Sequence, residues 1–170
     1  MSKAILQAGV LMWISSWIAS LHFLAVAIGF GSVFMRGRYF KALADSPDDD
    51  GNLRRLLIAD NFWGIAAVLW LISGLLRAFG GLEKGSDFYL HNVFFYMKIA
   101  LFAVVLMIEI PIMVTLIKVR LNKLTQPQIP VPVATLKHFR RMNHFEALLI
   151  LIILFVASAM ARGLWMMNNA

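Results

Sequence analysis

The sequence predicts an all-α fold, an integral membrane four-helix bundle, and three observations carry that prediction. Hydrophobic residues make up 61% of the 170-residue chain and charged residues only 15%, against about a quarter in a soluble domain. The apolar residues fall into four runs, about 8–35, 57–79, 92–118 and 143–166, and each reaches the roughly 20 residues that a spanning helix needs. The basic residues that give the net charge of +7 lie mostly between these runs, which is a topology signal and not the footprint of nucleic-acid binding.

The first run is longer than the roughly 7–15 residues of a signal-peptide core, so it is read as a retained helix. A hydrophilic loop from Gly37 to Arg55 follows, with the acidic turn Asp48-Asp49-Asp50-Gly51. The second run leads into a short Gly-rich turn, Gly80 to Asp87, and the third into a Pro-containing basic loop, Lys118 to Arg141. None of these connections is long enough to fold alone, so residues 1–170 form one transmembrane domain. Basic residues concentrate in the first loop (Arg36, Arg38, Lys41, Arg54, Arg55) and the third (Lys118, Arg120, Lys123, Lys137, Arg140, Arg141), with only Lys3 and Lys84 on the opposite side. The positive-inside rule then makes loops 36–55 and 119–141 cytoplasmic and both termini periplasmic. Trp13, Trp17, Trp165, Phe88 and Tyr89 are expected at the outer interface, and Tyr39, Phe40 and Trp63 at the inner one.

Ionisable groups at membrane depth are costly and are read as functional candidates. His22 lies midway along the first run, ~20 Å from its outer end. Its helical neighbours are Ser15, Ile18, Ala19, Ala25, Val26 and Gly29, mostly small. Such side chains leave room for a flat group beside an imidazole that can ligate haem iron. They equally allow close helix packing, with His22 bonded across to another helix. Arg77, Lys98 and Arg162, on three different runs, share the outer half of the bilayer. Arg77 and Arg162 are near enough to their run ends to snorkel, whereas Lys98 lies about two turns inside. Clustered cations call for an anion, and haem propionates would supply one. On the inner side Asp60 and Asn143 are read as helix caps. Glu109 is deeper, two residues before Pro111, and would pair with His144 or an inner arginine, or relay protons. His91 and His138 lie at element ends.

With no cysteine, the chain has no disulfide, thiolate metal site or covalent haem attachment. It also lacks a phosphate loop, H-E-x-x-H, G-x-S-x-G and any nucleic-acid module.

Leu21-His22-Phe23-Leu24-Ala25, Ser73-Gly74-Leu75-Leu76-Arg77, Phe88-Tyr89-Leu90-His91-Asn92, Phe95-Tyr96-Met97-Lys98 and the Glu109-Ile110-Pro111 region together resemble a family of bacterial four-helix membrane proteins catalogued as a domain of unknown function, number 2214. More distantly, His22, Lys98 and Arg140-Arg141-Met142-Asn143-His144-Phe145 are similar to features of the HemJ-type protoporphyrinogen oxidases, and His22 to a first-span histidine of CopD-like copper-resistance proteins. The chain departs from the HemJ-type pattern at Ala19, where those proteins have lysine, at His144, where they have an acid, and in lacking their proline. The resemblance implies an inner-membrane protein binding haem b through His22, with Lys98 nearby.

Two functions follow. In the first, His22 is the metal ligand of a haem b, Arg77, Lys98 and Arg162 hold its propionates, His91 or Lys98 is a second ligand, and electrons pass to or from a quinone or porphyrinogen. In the second, the polar residues build a non-redox bundle: a small transporter, a metal-handling protein or an accessory subunit. Four helices make a narrow interior, so a homodimer is expected in that case. No catalytic residue is assigned, and the protein is an oxidoreductase only under the first reading.

Overall fold

The computed structural model describes residues 3–125 and 131–167. In chain order the elements are α1 (Lys3–Asp45), α2 (Asp50–Phe79), the short α3 (Ser86–Leu90), α4 (Val93–Thr125) and α5 (Val133–Ala161). No strand occurs among the described residues, only an isolated antiparallel bridge between Asn92 and Met166. The segments Ile5–Asp45, Asp50–Phe79, Val93–Asn122 and Val133–Ala161 are long and apolar enough to cross a membrane, and the chain is an all-α membrane bundle.

Helix runs beyond the apolar segments at the basic-loop end. The expected loop from Gly37 to Arg55 is almost wholly helical, because α1 continues to Asp45 and α2 starts at Asp50. At 43 residues α1 is ~65 Å long, about twice the apolar thickness of a bilayer. Its extension carries its own apolar face. Phe40 and Leu43, three residues apart, are buried with Leu56 of α2 and with Leu136 and Phe139 of α5. The acidic turn becomes a cap, with Asp49 accepting a 2.9 Å hydrogen bond from the Asn52 amide.

In the third connection α4 persists to Thr125 and α5 begins at Val133. Residues 126–130, like the side chains of Lys3 and Lys123 counted above, lie outside the described residues. At the other end α5 stops at Ala161, short of residue 166, where Gly163 (φ 72°) and Trp165 (φ 54°) turn the chain back. The returning segment is held by Met167 N–H donating to the His91 carbonyl at 2.7 Å.

Helix α1 packs along α2 and α5, and α5 packs along α4. The bundle is therefore joined in the order α2–α1–α5–α4, and long side chains close the seam between α2 and α4. Trp70 meets Phe102 edge to face with centroids 5.1 Å apart, and Arg120 reaches Asp60 at 2.8 Å.

The interior is layered. A central apolar cluster holds Ala25, Val26, Val33, Trp63, Trp70, Val105, Leu149, Ile150 and Ile153. A second, with Phe40, Leu56, Ile112, Leu116 and Phe139, fills the basic-loop end, and a third, with Ala78, Tyr89, Phe95 and Met160, fills the opposite end. A polar layer separates each pair of apolar ones. Trp63 and Phe40, expected at a membrane interface, are 1% and 0% exposed and belong to the core. Trp13 and Trp17 are 70% exposed and face outward. The difference is which face of the helix each indole occupies, a property set by the neighbouring helices.

Candidate functional site

The polar layer between the central and basic-loop clusters is built around Arg36, whose side chain is fully buried. On each helix the contributing residue sits between residues of the two apolar clusters: Arg36 between Val33 and Phe40, Asp60 between Leu56 and Trp63, Glu109 between Val105 and Ile112, Glu146 between Phe139 and Leu149. The Arg36 guanidinium grips Glu109 bidentately, with Nη1 and Nη2 donating to Oε1 and Oε2, both at 2.7 Å. Nη1 also donates to Asp60 Oδ1 at 3.1 Å, Nη2 to Glu146 Oε2 at 2.8 Å, and Nε to Asn143 Oδ1 at 3.1 Å. Arg120 extends the network outward, bonding Asp60 Oδ2 at 2.8 Å and the Leu57 carbonyl at 3.1 Å. One cluster thus draws on all four long helices.

Packing around the guanidinium is tight. Trp63 lies against it with the ring centroid 6.0 Å from Cζ. Asn143 donates to the Val33 carbonyl at 2.7 Å, and a Cβ added at Gly37 would come within 3.0 Å of that amide nitrogen. Glycine at 37 lets α5 approach α1 closely enough for Asn143 to reach Arg36.

Several expectations are corrected here. Arg36 and Arg120 are network members and not free loop cations. Asp60 and Asn143 are not caps, since α2 begins at Asp50 and α5 at Val133, and both lie well inside their helices. These corrections follow from the helices running past the apolar segments: residues assumed to cap or flank a span are inside the bundle. Of the partners expected for Glu109, the inner arginine is the one present, Arg36, while His144 is exposed and bonds the Arg140 carbonyl within its own helix.

The second polar layer, between the central cluster and the opposite end, contains His22. Its Nδ1 is 2.9 Å from Ser73 Oγ, and its Nε2 accepts the Trp70 indole N–H at 3.2 Å. Ser73 in turn donates to the Leu69 carbonyl at 2.5 Å. The set is self-consistent for a neutral imidazole protonated on Nδ1. His22 is 5% exposed, and a Cβ added at Gly74 would lie 3.3 Å from its ring.

Arg77 and Lys98 lie within electrostatic range of His22. Arg77 bonds Glu83 at 2.6 Å and stacks over Phe23, 5.6 Å from the ring centroid. Lys98 is half-buried, with no hydrogen-bonding or ion-pair partner among the described residues. Arg162 is exposed at the C-cap of α5, and His91 caps α3, with Nδ1 within reach of Asp87. Arg162 and His91 thus stand at the ends of α5 and α3, whereas Arg77 and Lys98 are near enough to His22 and to each other to interact electrostatically.

Glu83 and Tyr89 lie outside the spans and form a small pair beside Arg77, Tyr89 Oη donating to Glu83 Oε2 at 2.9 Å. Burial tends to raise Glu83, but hydrogen bonds from Arg77 and Tyr89 outweigh it and hold the carboxyl below its ordinary 4.5. Burial, reinforced by the carboxylate, pushes Tyr89 up to about 12.

The residues around His22 do not fit a haem in this arrangement. Its iron-binding lone pair is occupied by Trp70, and the flat groups that use the room beside its small neighbours are indoles: Trp70, and Trp63 against Gly29, where an added Cβ would be 3.0 Å from the ring. An open cavity of about 300 Å³ lies elsewhere, lined by Leu11, Met12, Ser15, Ser16, Gly81 and Leu82.

Sequence reasoning missed Arg36 as the centre of the site. The available signal was its spacing from His22: fourteen residues return to nearly the same face of a helix.

Comparison with known proteins gives one family. A family model described as "Predicted membrane protein (DUF2214)" matches residues 14–164. No curated protein and no solved structure matches the chain.

Proposed function

The chain belongs to that family of predicted membrane proteins, and from this premise we propose that it is a small non-redox transporter that moves protons through its buried polar layers. The observation that carries this reading is the network of Arg36, Asp60, Glu109, Arg120 and Glu146: five ionisable side chains from four helices, turned away from lipid, at a depth where ionisable groups serve proton or ion pathways. His22 supplies a second protonatable group on the same face of α1, ~21 Å away. The apolar central cluster between them is what a proton path requires if it is to be gated and not leak.

The experiment is proton flux in proteoliposomes carrying an internal pH dye. The full chain dissipates an imposed pH gradient faster than protein-free vesicles, and Asp60→Asn slows it. Flux no different from that of protein-free vesicles overturns the reading. The haem reading, with its quinone or porphyrinogen partner, needs the Trp70–His22 bond to open. It is addressed by the absorption spectrum of purified protein, oxidised and dithionite-reduced. A featureless spectrum is expected, and a Soret band lost in His22→Ala would replace the transporter with a haem protein.

The charge distribution supports a bacterial inner-membrane orientation with the basic-loop end in the cytoplasm. With Arg36 and Arg120 assigned to the network, Arg38, Lys41, Arg54, Arg55, Lys118, Lys137, Arg140 and Arg141 still stand at that end, against Lys3, Arg77, Lys84 and Arg162 at the other.

A further inference from the structure

We propose that Glu109 and Glu146 form a single proton-binding site, holding one exchangeable proton between their carboxyl groups while Arg36 fixes the pair. The inference rests on the transporter reading only for its use; the site itself stands on geometry.

Convergence is the first argument. Nη2 of Arg36 is 2.7 Å from Glu109 Oε2 and 2.8 Å from Glu146 Oε2, so one nitrogen draws both carboxyls together. The single positive charge of Arg36 offsets one carboxylate of the pair, so two ionised carboxyls gathered on it leave one negative charge uncompensated.

Donor supply is the second. The side chain of Glu146 is fully buried, yet its Oε1 has no hydrogen-bond partner among the described residues. Arg36 has nothing left to offer it, because the five N–H groups of its guanidinium match five bonds, to Asn143, Asp60, Glu109 twice and Glu146 Oε2. Asn143 turns its amide nitrogen to the Val33 carbonyl instead. An unpaired buried oxygen is expensive, and a proton held between the two carboxyls removes that cost, because one carboxyl then donates and the other accepts.

Charge is the third. The groups facing the pair are Arg36 from α1, Asp60 from α2, Arg120 from α4 and Asn143 from α5, and with Glu109 and Glu146 they make two cations against three acids. One proton balances the layer.

A metal ion is the competing occupant and fits poorly. Among the described residues no group of three or more His, Cys, Asp or Glu side chains is arranged to hold one, and a guanidinium already lies 2.7–2.8 Å from the oxygens concerned. Glu109 and Asp60, with side chains 11% and 10% exposed, give the network its access to water, while Arg120, 34% exposed, stays protonated and holds Asp60 in place. No electron moves: water at that end gives up the proton, and a carboxylate oxygen accepts it.

The test is infrared difference spectroscopy of the full chain in lipid nanodiscs, in light and heavy water. The wild type shows a protonated-carboxyl carbonyl stretch that shifts down on deuteration. The band is lost in Glu146→Gln and in Glu109→Gln, and it persists in Asp60→Asn. Absence of the band in the wild type overturns the proposal, as does its survival in both glutamine variants or its removal by sodium ions at constant pH, which would mark a metal site. Should Glu109→Gln fail to fold, the wild type and Glu146→Gln decide alone, since a glutamine side chain keeps the size of the acid it replaces. A band without proton flux removes the transporter and leaves this site. Flux without the band does the reverse.

Discussion

Replacing Arg36 by methionine is the perturbation that bears most directly on how this bundle is held together. Methionine keeps much of the volume and removes the charge, leaving Glu109 without both of its 2.7 Å bonds, Glu146 without its 2.8 Å bond, and Asp60 and Asn143 each short of one. Removing one partner of a buried ion pair costs about 3–5 kcal/mol, because the other charge stays buried and uncompensated. Here three acids are affected, although Asp60 retains Arg120 and further protonation of the carboxyls limits the total. A loss of about 4 kcal/mol is expected, a large share of the roughly 5–15 kcal/mol that holds a folded protein together. Arg36→Lys retains the charge, but with three donors in place of five it cannot grip Glu109 in a fork and reach Glu146, Asp60 and Asn143 as well, so it falls between the two. The assay is reversible unfolding of the purified protein in mixed micelles on titration with dodecyl sulfate, followed by tryptophan fluorescence. Trp63 beside the guanidinium reports locally. Arg36→Met within about 1 kcal/mol of wild type would refute the reasoning, since a network that holds four helices together cannot lose its centre at the cost of an ordinary surface substitution.

Further predictions concern the other layers. His22→Ala leaves the Trp70 indole N–H unpaired, costing about 1–3 kcal/mol, while Ser73 keeps its bond to Leu69, and it shifts indole emission; unchanged stability and emission would mean the Trp70–His22 bond is not formed in the membrane. Gly29→Val places methyl groups where a Cβ alone would already lie 3.0 Å from Trp63, so overpacking of about 1–3 kcal/mol is expected, readable as a lower melting temperature. The Glu83–Tyr89 pair sets two pH limbs. Glu83 titrates lower folded than unfolded, so its contribution is present above the ordinary carboxyl value of 4.5 and is lost as pH falls through the folded one. Tyr89 titrates higher, at about 12 against 10.0, so its contribution is complete below pH 10 and is lost as pH rises toward 12. Tyr89→Phe removes the alkaline limb and moves the acid limb toward higher pH, because Glu83 loses a donor; melting temperature against pH checks both.

Class and spans were legible from the sequence because hydropathy reports the solvent a helix needs, and lipid leaves helices as almost the only way to satisfy a backbone. The four apolar runs lie largely within the four long helices. That information concerns each residue singly. Whether Arg36 flanks a span or anchors a bundle, and whether Asp60 caps a helix or meets a guanidinium, depends on what other helices bring to the same depth, and hydropathy carries none of that. His22 shows the boundary. Its burial and its small neighbours were readable, but a neutral imidazole offers the same lone pair to iron or to an indole, and only the packing of α2 on α1 placed Trp70 there. In the sequence Glu146 is simply a polar residue near the start of the last run. Its standing as a carboxyl with an unpartnered oxygen exists only once Arg36 has committed its donors elsewhere, a condition that three helices must meet together. Hydrophobicity acts on the residues of one helix and fixes where the chain lies; hydrogen bonds and ion pairs act between residues distant in sequence, and only the tertiary structure decides those.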